Sequence, residues 1–142
     1  MKCVICDKYE GQNRISPIVE IDGVTLSHIA PGDDGWAMKG RLIVEPVRHV
    51  VNPEDLSSTE FANMGRVLQI AMGLLKDRLG AEHVYFFRIN DLVAHFHFHV
   101  LPRFPGTPKE YWGMKLLDWT KIPMIRAEEI QSLSEELRKC LL

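Results

Sequence analysis

The sequence has few of the features that mark secreted, membrane or nucleic-acid-binding proteins. It contains only three cysteines, and none of its apolar runs approaches the roughly 18 residues needed to span a bilayer. The opening stretch "MKCVICDKYE" lacks the apolar region of a secretory signal peptide. We therefore expect a cytoplasmic protein without a membrane partner, in which the cysteines stay reduced as thiols or metal ligands.

The sequence also lacks a strong charge of either sign. The formal net charge is −2 over 142 residues, which predicts no general attraction to nucleic acid or anionic lipid. Hydrophobic residues make up 46% and charged residues 25%, as in an ordinary globular protein. Since there is no internal repeat or long linker, we expect residues 1–142 to form a single domain with a real core.

Local signals predict strands that surround one long helix. The Asp22-Gly23 pair favours a hairpin turn, and "GRLIVEP" at 40–46 indicates a buried strand. Ser57 and Glu60 have the spacing of a capping box, and apolar residues at helical spacing follow them. The long central helix is therefore predicted to begin there.

The second half of the chain predicts two more strands and a last helix. "EHVYFFRIN" and "HFHFHVLPR" indicate neighbouring antiparallel strands, and "RAEEIQSLSEELRKCLL" indicates the C-terminal helix. The element order β-β-β-α-β-β-loop-α predicts an α+β fold. It contains an antiparallel sheet of about five strands, a long central helix and a C-terminal helix.

Three of the six histidines alternate with apolar residues in "AHFHFHVLPR". In a strand, His95, His97 and His99 would share one face, about 6 to 7 Å apart, while Phe96 and Phe98 enter the core. This spacing is compatible with a solvated face, with a zinc centre, or with phosphate chemistry by paired imidazoles. Periodicity alone does not choose between the last two.

The segment "HFHFHVL" resembles the His-φ-His-φ-His-φ-φ signature of the histidine triad (HIT) superfamily, where φ is apolar. The resemblance extends from about Cys3 to Arg103: "GRLIVEPVRHV" is similar to the family's Gly-His-φ-φ-φ-x-Pro-x-x-His segment, and "CVIC" to the Cys-x-x-Cys of many bacterial members. It implies a HIT-like fold, with residues 104–142 as a variable C-terminal loop and helix.

The resemblance implies a nucleotide hydrolase or nucleotidyl transferase that acts on an α-phosphate. His97 takes the position of the nucleophile that forms a nucleotidyl-histidine intermediate, and His99 takes that of a contact to the phosphate or leaving group. Nucleotide-binding positions fall on His28, Arg41, Asn90 and His99. The family also implies a homodimer.

A tetrahedral zinc site needs two further nitrogen or sulfur ligands beside Cys3 and Cys6. In the zinc-bearing relatives these are the histidine of the Pro-x-x-His segment and the first triad histidine, which fall here on His49 and His95. The resemblance therefore implies one zinc ion per chain, closed by four protein ligands and structural in role.

Three positions depart from the family pattern. Arg41 replaces a histidine, and His28 replaces the acidic or amide residue that holds the ribose. The Asn-x-Gly-x-x-Ala-Gly-Gln loop before the triad is absent, which leaves Asn90 and Asp91 as the polar residues of that segment. Two alternatives therefore stay open: a nucleotide-binding protein with little or no turnover, and a zinc hydrolase with all three triad histidines on the metal.

Overall fold

The computed structural model describes residues 3–11 and 14–141. In chain order, its elements are α1 (Val4–Asp7), β1 (Val19–Ile21), β2 (Val24–His28), β3 (Trp36–Met38), β4 (Leu42–Pro46), α2 (Ser58–Asp77), β5 (His83–Phe87), β6 (Phe98–Arg103), β7 (Met124–Arg126) and α3 (Ala127–Lys139). Short 3₁₀ helices cover Pro53–Asp55, Lys109–Tyr111 and Gly113–Asp118. None of the helices within the described ranges is long and apolar enough to cross a bilayer.

Five strands form one antiparallel sheet in the order β1-β2-β4-β6-β5. The long helix α2 packs on one face of this sheet, and the resulting core includes Leu42 and Val44 of β4 and Phe96, which is 1% exposed. Ile43 of β4 pairs with His99 of β6, so both side chains point to the opposite face. The predicted α+β fold, with its five-stranded sheet, central helix and C-terminal helix, is confirmed.

The predicted turn and helix signals adopt the expected local conformations. Asp22 and Gly23 have φ values of 44° and 82°, as a two-residue hairpin turn requires. The Ser57 hydroxyl accepts from the Glu60 N–H, while the Glu60 carboxylate accepts from the Ser57 N–H, which completes the capping box of α2.

The histidine segment differs from the uniform strand that the alternation predicts. β6 begins at Phe98, so His95 and His97 lie in irregular backbone just before it. The Phe96 N–H donates to the Val50 carbonyl at 2.6 Å, which ties this segment to the loop after β4. Phe96 still enters the core, but His95 points away from the other two histidines.

Two short strands outside the main sheet, β3 and β7, pair antiparallel. Beside them, Met38 and Leu116 pack with Leu101 into a second small core. The segment after β6, which belongs to the variable loop that the family resemblance implies, therefore buries Leu116 to 1% exposure. These elements form one wall of the region next to His99.

Gly40 lies two residues before β4, where the backbone comes close to side chains of the main core. Its φ is +80°, and a Cβ built there would lie 2.9 Å from the Pro102 ring and 3.0 Å from a methyl group of Leu79. Its N–H donates to the His28 Nε2 at 2.9 Å. Glycine is therefore required here both by the backbone conformation and by the available space.

We predict that Gly40→Ala destabilises the chain more than the matched substitution Gly80→Ala. Gly80 has a similar φ of +77° but open space around it, so alanine costs about 1 kcal/mol from backbone strain alone. At Gly40, overlap with Pro102 and Leu79 adds about 1–3 kcal/mol. Urea denaturation at fixed zinc and protein concentration measures both losses, and equal losses would contradict the packing argument.

Candidate metal and phosphate site

Four side chains from distant parts of the sequence meet beside the first helix. Cys3 precedes α1, Cys6 lies within it, His49 lies in the loop after β4, and His95 lies before β6. Their ligand atoms all lie within 4.8 Å of one another. These are the four residues for which the family resemblance implies a zinc site.

One turn of helix brings the two thiols to the same side. The Cys3 Sγ accepts from the Cys6 N–H as the N-cap of α1. The His95 ring donates through Nε2 to the Pro46 carbonyl at 2.7 Å, which leaves Nδ1 directed at the thiols. A ring held in this way by a backbone carbonyl has its tautomer fixed for metal binding.

The spacing of the ligand atoms fits a tetrahedral ion. Zinc bonds of about 2.3 Å to sulfur and about 2.0 Å to nitrogen place neighbouring ligand atoms about 3.3 to 3.8 Å apart. Here the Cys6 Sγ lies 3.3 Å from the His49 Nδ1 and 3.6 Å from the His95 Nδ1, which is also 3.6 Å from the Cys3 Sγ. The donor set and these three distances therefore fit zinc.

The protein surroundings favour the protonated form of the Cys6 thiol. Burial, followed by the hydrogen bond and charge of Cys3, raises the pKa of Cys6 to about 11. A divalent cation reverses this effect because it binds the thiolate directly, so metal binding releases protons.

The other two histidines form a separate pair. The His97 Nδ1 lies 2.7 Å from the His95 carbonyl oxygen, and its Nε2 lies 3.2 Å from the His99 Nε2. The His99 Nδ1 lies 3.1 Å from an Nη of Arg41. His97 and His99 therefore face away from the thiols, and this geometry disfavours a metal held by all three triad histidines.

The neutral tautomers of this pair follow from its hydrogen-bond partners. A guanidinium only donates, so Arg41 makes the His99 Nδ1 an acceptor and places the His99 proton on Nε2. A backbone carbonyl only accepts, so the proton of His97 lies on Nδ1 and its Nε2 carries a lone pair. The two Nε2 atoms thus combine one nucleophilic nitrogen with one N–H donor.

His99 is held in its neutral form. Burial, then the positive charge of Arg41 and the neighbouring His97, lowers the pKa of His99 to about 4. The Phe87 ring stacks on the His99 ring at a centroid distance of 5.1 Å. Near neutral pH, His99 is therefore a fixed hydrogen-bond donor without a charge.

A cavity of about 400 Å³ opens over these two rings. Its walls include Val4 and Ile5 of α1 and Ile43 of β4, together with His97 and His99. Apolar walls with a few convergent polar groups are typical of small-molecule sites. The cavity is large enough to hold a nucleoside next to the paired imidazoles.

Two of the residues predicted to contact the nucleotide form hydrogen bonds within the chain. His28 lines the cavity, but its Nε2 accepts from the Gly40 N–H and its Nδ1 lies 2.8 Å from the Ile29 carbonyl. Burial lowers the pKa of His28. Asn90 donates to the Val51 carbonyl and accepts from the His97 N–H, so it supports the triad backbone.

Sequence reasoning missed a charged cluster in the wall of the cavity. Glu45 is 1% exposed, and its Oε1 accepts from the Tyr9 hydroxyl and from the Lys8 ammonium, each at 2.5 Å. Thr25 shares a hydrogen bond with Tyr9, whose pKa is raised by burial and by the charge of Glu45. The only sequence signal was a carboxylate inside the apolar run "LIVEP".

Comparisons with known proteins identify the fold. No protein-family model and no curated protein sequence matches the chain. Among solved structures, a histidine triad nucleotide-binding protein from Sulfolobus tokodaii superposes with a TM-score of 0.69 at 16% identity. The alignment covers 96% of this chain and 90% of that protein.

Two other solved structures are similar over most of their lengths. A zinc-bound histidine triad family protein from Mycobacterium smegmatis has 23% identity, a TM-score of 0.63 and coverage of 98% and 94% of the two chains. A histidine triad protein from Sinorhizobium meliloti has 22% identity, a TM-score of 0.63 and coverage of 87% of each. With the His-x-His-x-His segment in place at the start of β6, the chain has the histidine triad fold.

Proposed function

We propose that the chain is a nucleotide hydrolase or nucleotidyl transferase acting on phosphoanhydride or phosphoramidate bonds through a covalent intermediate on His97. The observation that carries this proposal is the pairing of the two Nε2 atoms at 3.2 Å beneath the cavity. One of them has a lone pair to attack phosphorus, and the other has a proton to donate. Such a pair matches the requirements of stepwise phosphoryl chemistry.

In the first step, the His97 Nε2 forms a bond to the α-phosphorus and the bond to the leaving group breaks. The electron pair stays on the departing atom, and the His99 Nε2–H donates a hydrogen bond, or its proton, to that atom. The developing positive charge on His97 is stabilised by the hydrogen bond from its Nδ1–H to the His95 carbonyl. Water then releases the nucleotide, or another phosphate accepts it.

The nucleoside is proposed to occupy the cavity above the pair. His28 lies at the ribose position and exchanges a backbone hydrogen bond for a hydroxyl group, while Asn90 and Arg41 support the phosphate end. Lys8 and Glu45 present a donor and a carboxylate to polar atoms of the base.

One observation favours the alternative of a nucleotide-binding protein with little turnover. The segment before the triad places Val93 in the cavity wall, whereas Leu92 is 99% exposed. Apolar groups at this position cannot donate hydrogen bonds to phosphate oxygens. In that case the same cavity would bind the nucleotide but stabilise the transition state poorly.

We further propose that zinc is structural, that the protein is cytoplasmic, and that two chains form a homodimer. Cys3, Cys6, His49 and His95 would hold one ion and so link the N-terminal segment to the backbone that bears His97. With four protein ligands such an ion supplies stability rather than an open coordination position.

The zinc assignment predicts about one zinc ion per chain. A Cys3→Ser/Cys6→Ser variant should lose the metal and melt at a lower temperature, since metal binding energy contributes directly to folding. The matched control is Cys140→Ser, because Cys140 lies in the C-terminal region and its thiol donates to the Glu136 carbonyl. Elemental analysis and thermal unfolding measure both effects; stoichiometric zinc in the double variant would refute the assignment.

The nucleophile assignment predicts that His97→Ala abolishes turnover while nucleotide affinity stays within a few-fold. His99→Ala should lower the rate by about 10²- to 10⁴-fold, because it removes a donor to the leaving group. The control is His83→Ala, which alters an exposed histidine at the start of β5.

The substrate screen covers adenosine phosphoramidate, dinucleoside polyphosphates and nucleotide sugars. Wild-type turnover in His97→Ala would exclude the mechanism. Binding of nucleotide by the wild type without cleavage of any substrate would establish the alternative function.

The pKa of His99 predicts a specific pH dependence of stability. Between pH 6.5 and about 4, the unfolded chain binds a proton that folded His99 does not, so stability falls as the pH is lowered through this window. Arg41→Met should move the pKa of His99 upward, because the positive charge of Arg41, the second of the three causes that lower it, is removed. Imidazole carbon chemical shifts report the titration, and an ordinary pKa in the wild type would contradict the assigned environment.

The dimer proposal predicts a mass of about twice the 16.3 kDa chain. β5 is the edge strand of the sheet, and its Phe86 is 50% exposed, so this edge offers backbone groups and apolar surface for pairing. Light scattering at micromolar concentration measures the mass, and Phe86→Asp should favour the monomer. A monomeric wild type would rule the dimer out.

A further inference from the structure

A second cavity of about 360 Å³ adjoins the first on the far side of His99. Ile29 and Ala30 line both cavities and form the partition between them. Arg41 lines the second cavity and donates to the His99 Nδ1 at 3.1 Å. The two cavities therefore adjoin at Ile29 and Ala30, and Arg41 links the second cavity to the imidazole pair through His99.

Arg41 provides a charge that the described part of the chain does not neutralise. Its Nε is buried and has no hydrogen-bond partner among the described residues. None of the described residues that line the second cavity is acidic. A guanidinium with free donors in a partly dry site is suited to bind an oxyanion.

The other walls of the second cavity are apolar. They come from the two-stranded sheet and the segment before it, and include Trp36, Met38 and Met124. Trp36 is 39% exposed and makes a cation–π contact with the Arg126 guanidinium, which lies 5.1 Å from its ring centre. These walls offer contact to an aryl or alkyl group, whereas a bare chain of phosphates would gain little from them.

We propose that the second cavity is the leaving-group site, and that it takes an apolar group bearing an oxyanion, bound by Arg41. This inference rests on the proposed function. As the bond from His97 to phosphorus forms, the bond from phosphorus to the leaving oxygen breaks. For an anhydride substrate, the electron pair stays on that oxygen, and the departing carboxylate or phosphate pairs with the guanidinium. No further reactant is needed for this step.

The test uses phenyl phosphate and benzoate as probes, which present the same apolar body with two different oxyanions. Methionine methyl groups labelled with carbon-13 report where the probes bind. Shifts are expected at Met38 and Met124 in the second cavity, and none at Met64, which is 1% exposed in the main core. Binding should be at least ten-fold tighter than that of inorganic phosphate or of uncharged phenol.

Variants separate the two parts of the proposed site. Arg41→Met should weaken both probes at least ten-fold and leave phenol unchanged, and Trp36→Ala should weaken both probes and phenol. The matched control is Trp112→Ala: Trp112 is 40% exposed and is also held by an arginine, but it lies on Thr107 and Arg103, away from both cavities. Equal binding of phenyl phosphate and inorganic phosphate, or no shift at Met38 and Met124, would overturn the proposal.

Failure here is distinguishable from failure of the proposed function. If nucleotide conjugates are cleaved through His97 while the probes miss the second cavity, the leaving-group site is wrong and the function stands. If the probes bind as expected but no nucleotide binds the wild type, the leaving-group role is overturned together with the function.

Discussion

The site depends on one hydrogen bond, which runs from the His97 Nδ1–H to the carbonyl oxygen of His95. It fixes the proton of His97 on Nδ1 and thereby leaves the lone pair on Nε2, the atom that faces His99. The same backbone segment places the His95 ring against the two thiols and Phe96 in the core. Any shift of this segment would therefore disturb the metal cluster, the core and the imidazole pair together.

The hydrogen bonds around the imidazole pair run in one direction, from Arg41 through His99 and His97 to the His95 carbonyl. Arg41 can only donate, and the backbone carbonyl at the other end can only accept, so both intervening imidazoles are constrained to one neutral tautomer each. Burial keeps His99 neutral, as its low pKa indicates. In the proposed function, this preorganisation means that no proton has to be redistributed before His97 attacks.

Much of the fold was predictable from sequence because its strongest signals are local. The Asp22-Gly23 turn and the Ser57–Glu60 capping box require only neighbouring residues, and both adopt the conformation that their composition favours. The cluster of two cysteines and two histidines could be predicted because the Cys-x-x-Cys motif is visible in the sequence and because the family resemblance supplied His49 and His95. The start of β6 could not be predicted from sequence, since the hydrogen bond from the Phe96 N–H to the Val50 carbonyl depends on tertiary packing.

The unpredicted features are contacts between distant segments. Sequence spacing does not show that Lys8 and Tyr9 meet the buried Glu45, or that a turn at Gly40 occupies the Nε2 of His28. The pairing of β3 with β7 also joins segments of only three residues each, too short for a periodic signal. These long-range contacts shape both cavities, so ligand preference is less predictable from sequence than the fold.

The central claim is that His97 carries the nucleotide covalently. The most direct measurement is a single-turnover reaction quenched in alkali, where a phosphorus–nitrogen bond survives, followed by mass spectrometry of the intact chain and its peptides. We predict a transient mass increase of one nucleotidyl group on His97, which rises before product appears and decays as product is released. Product formation at the full rate with no adduct, or with an adduct on a different residue, would contradict the account.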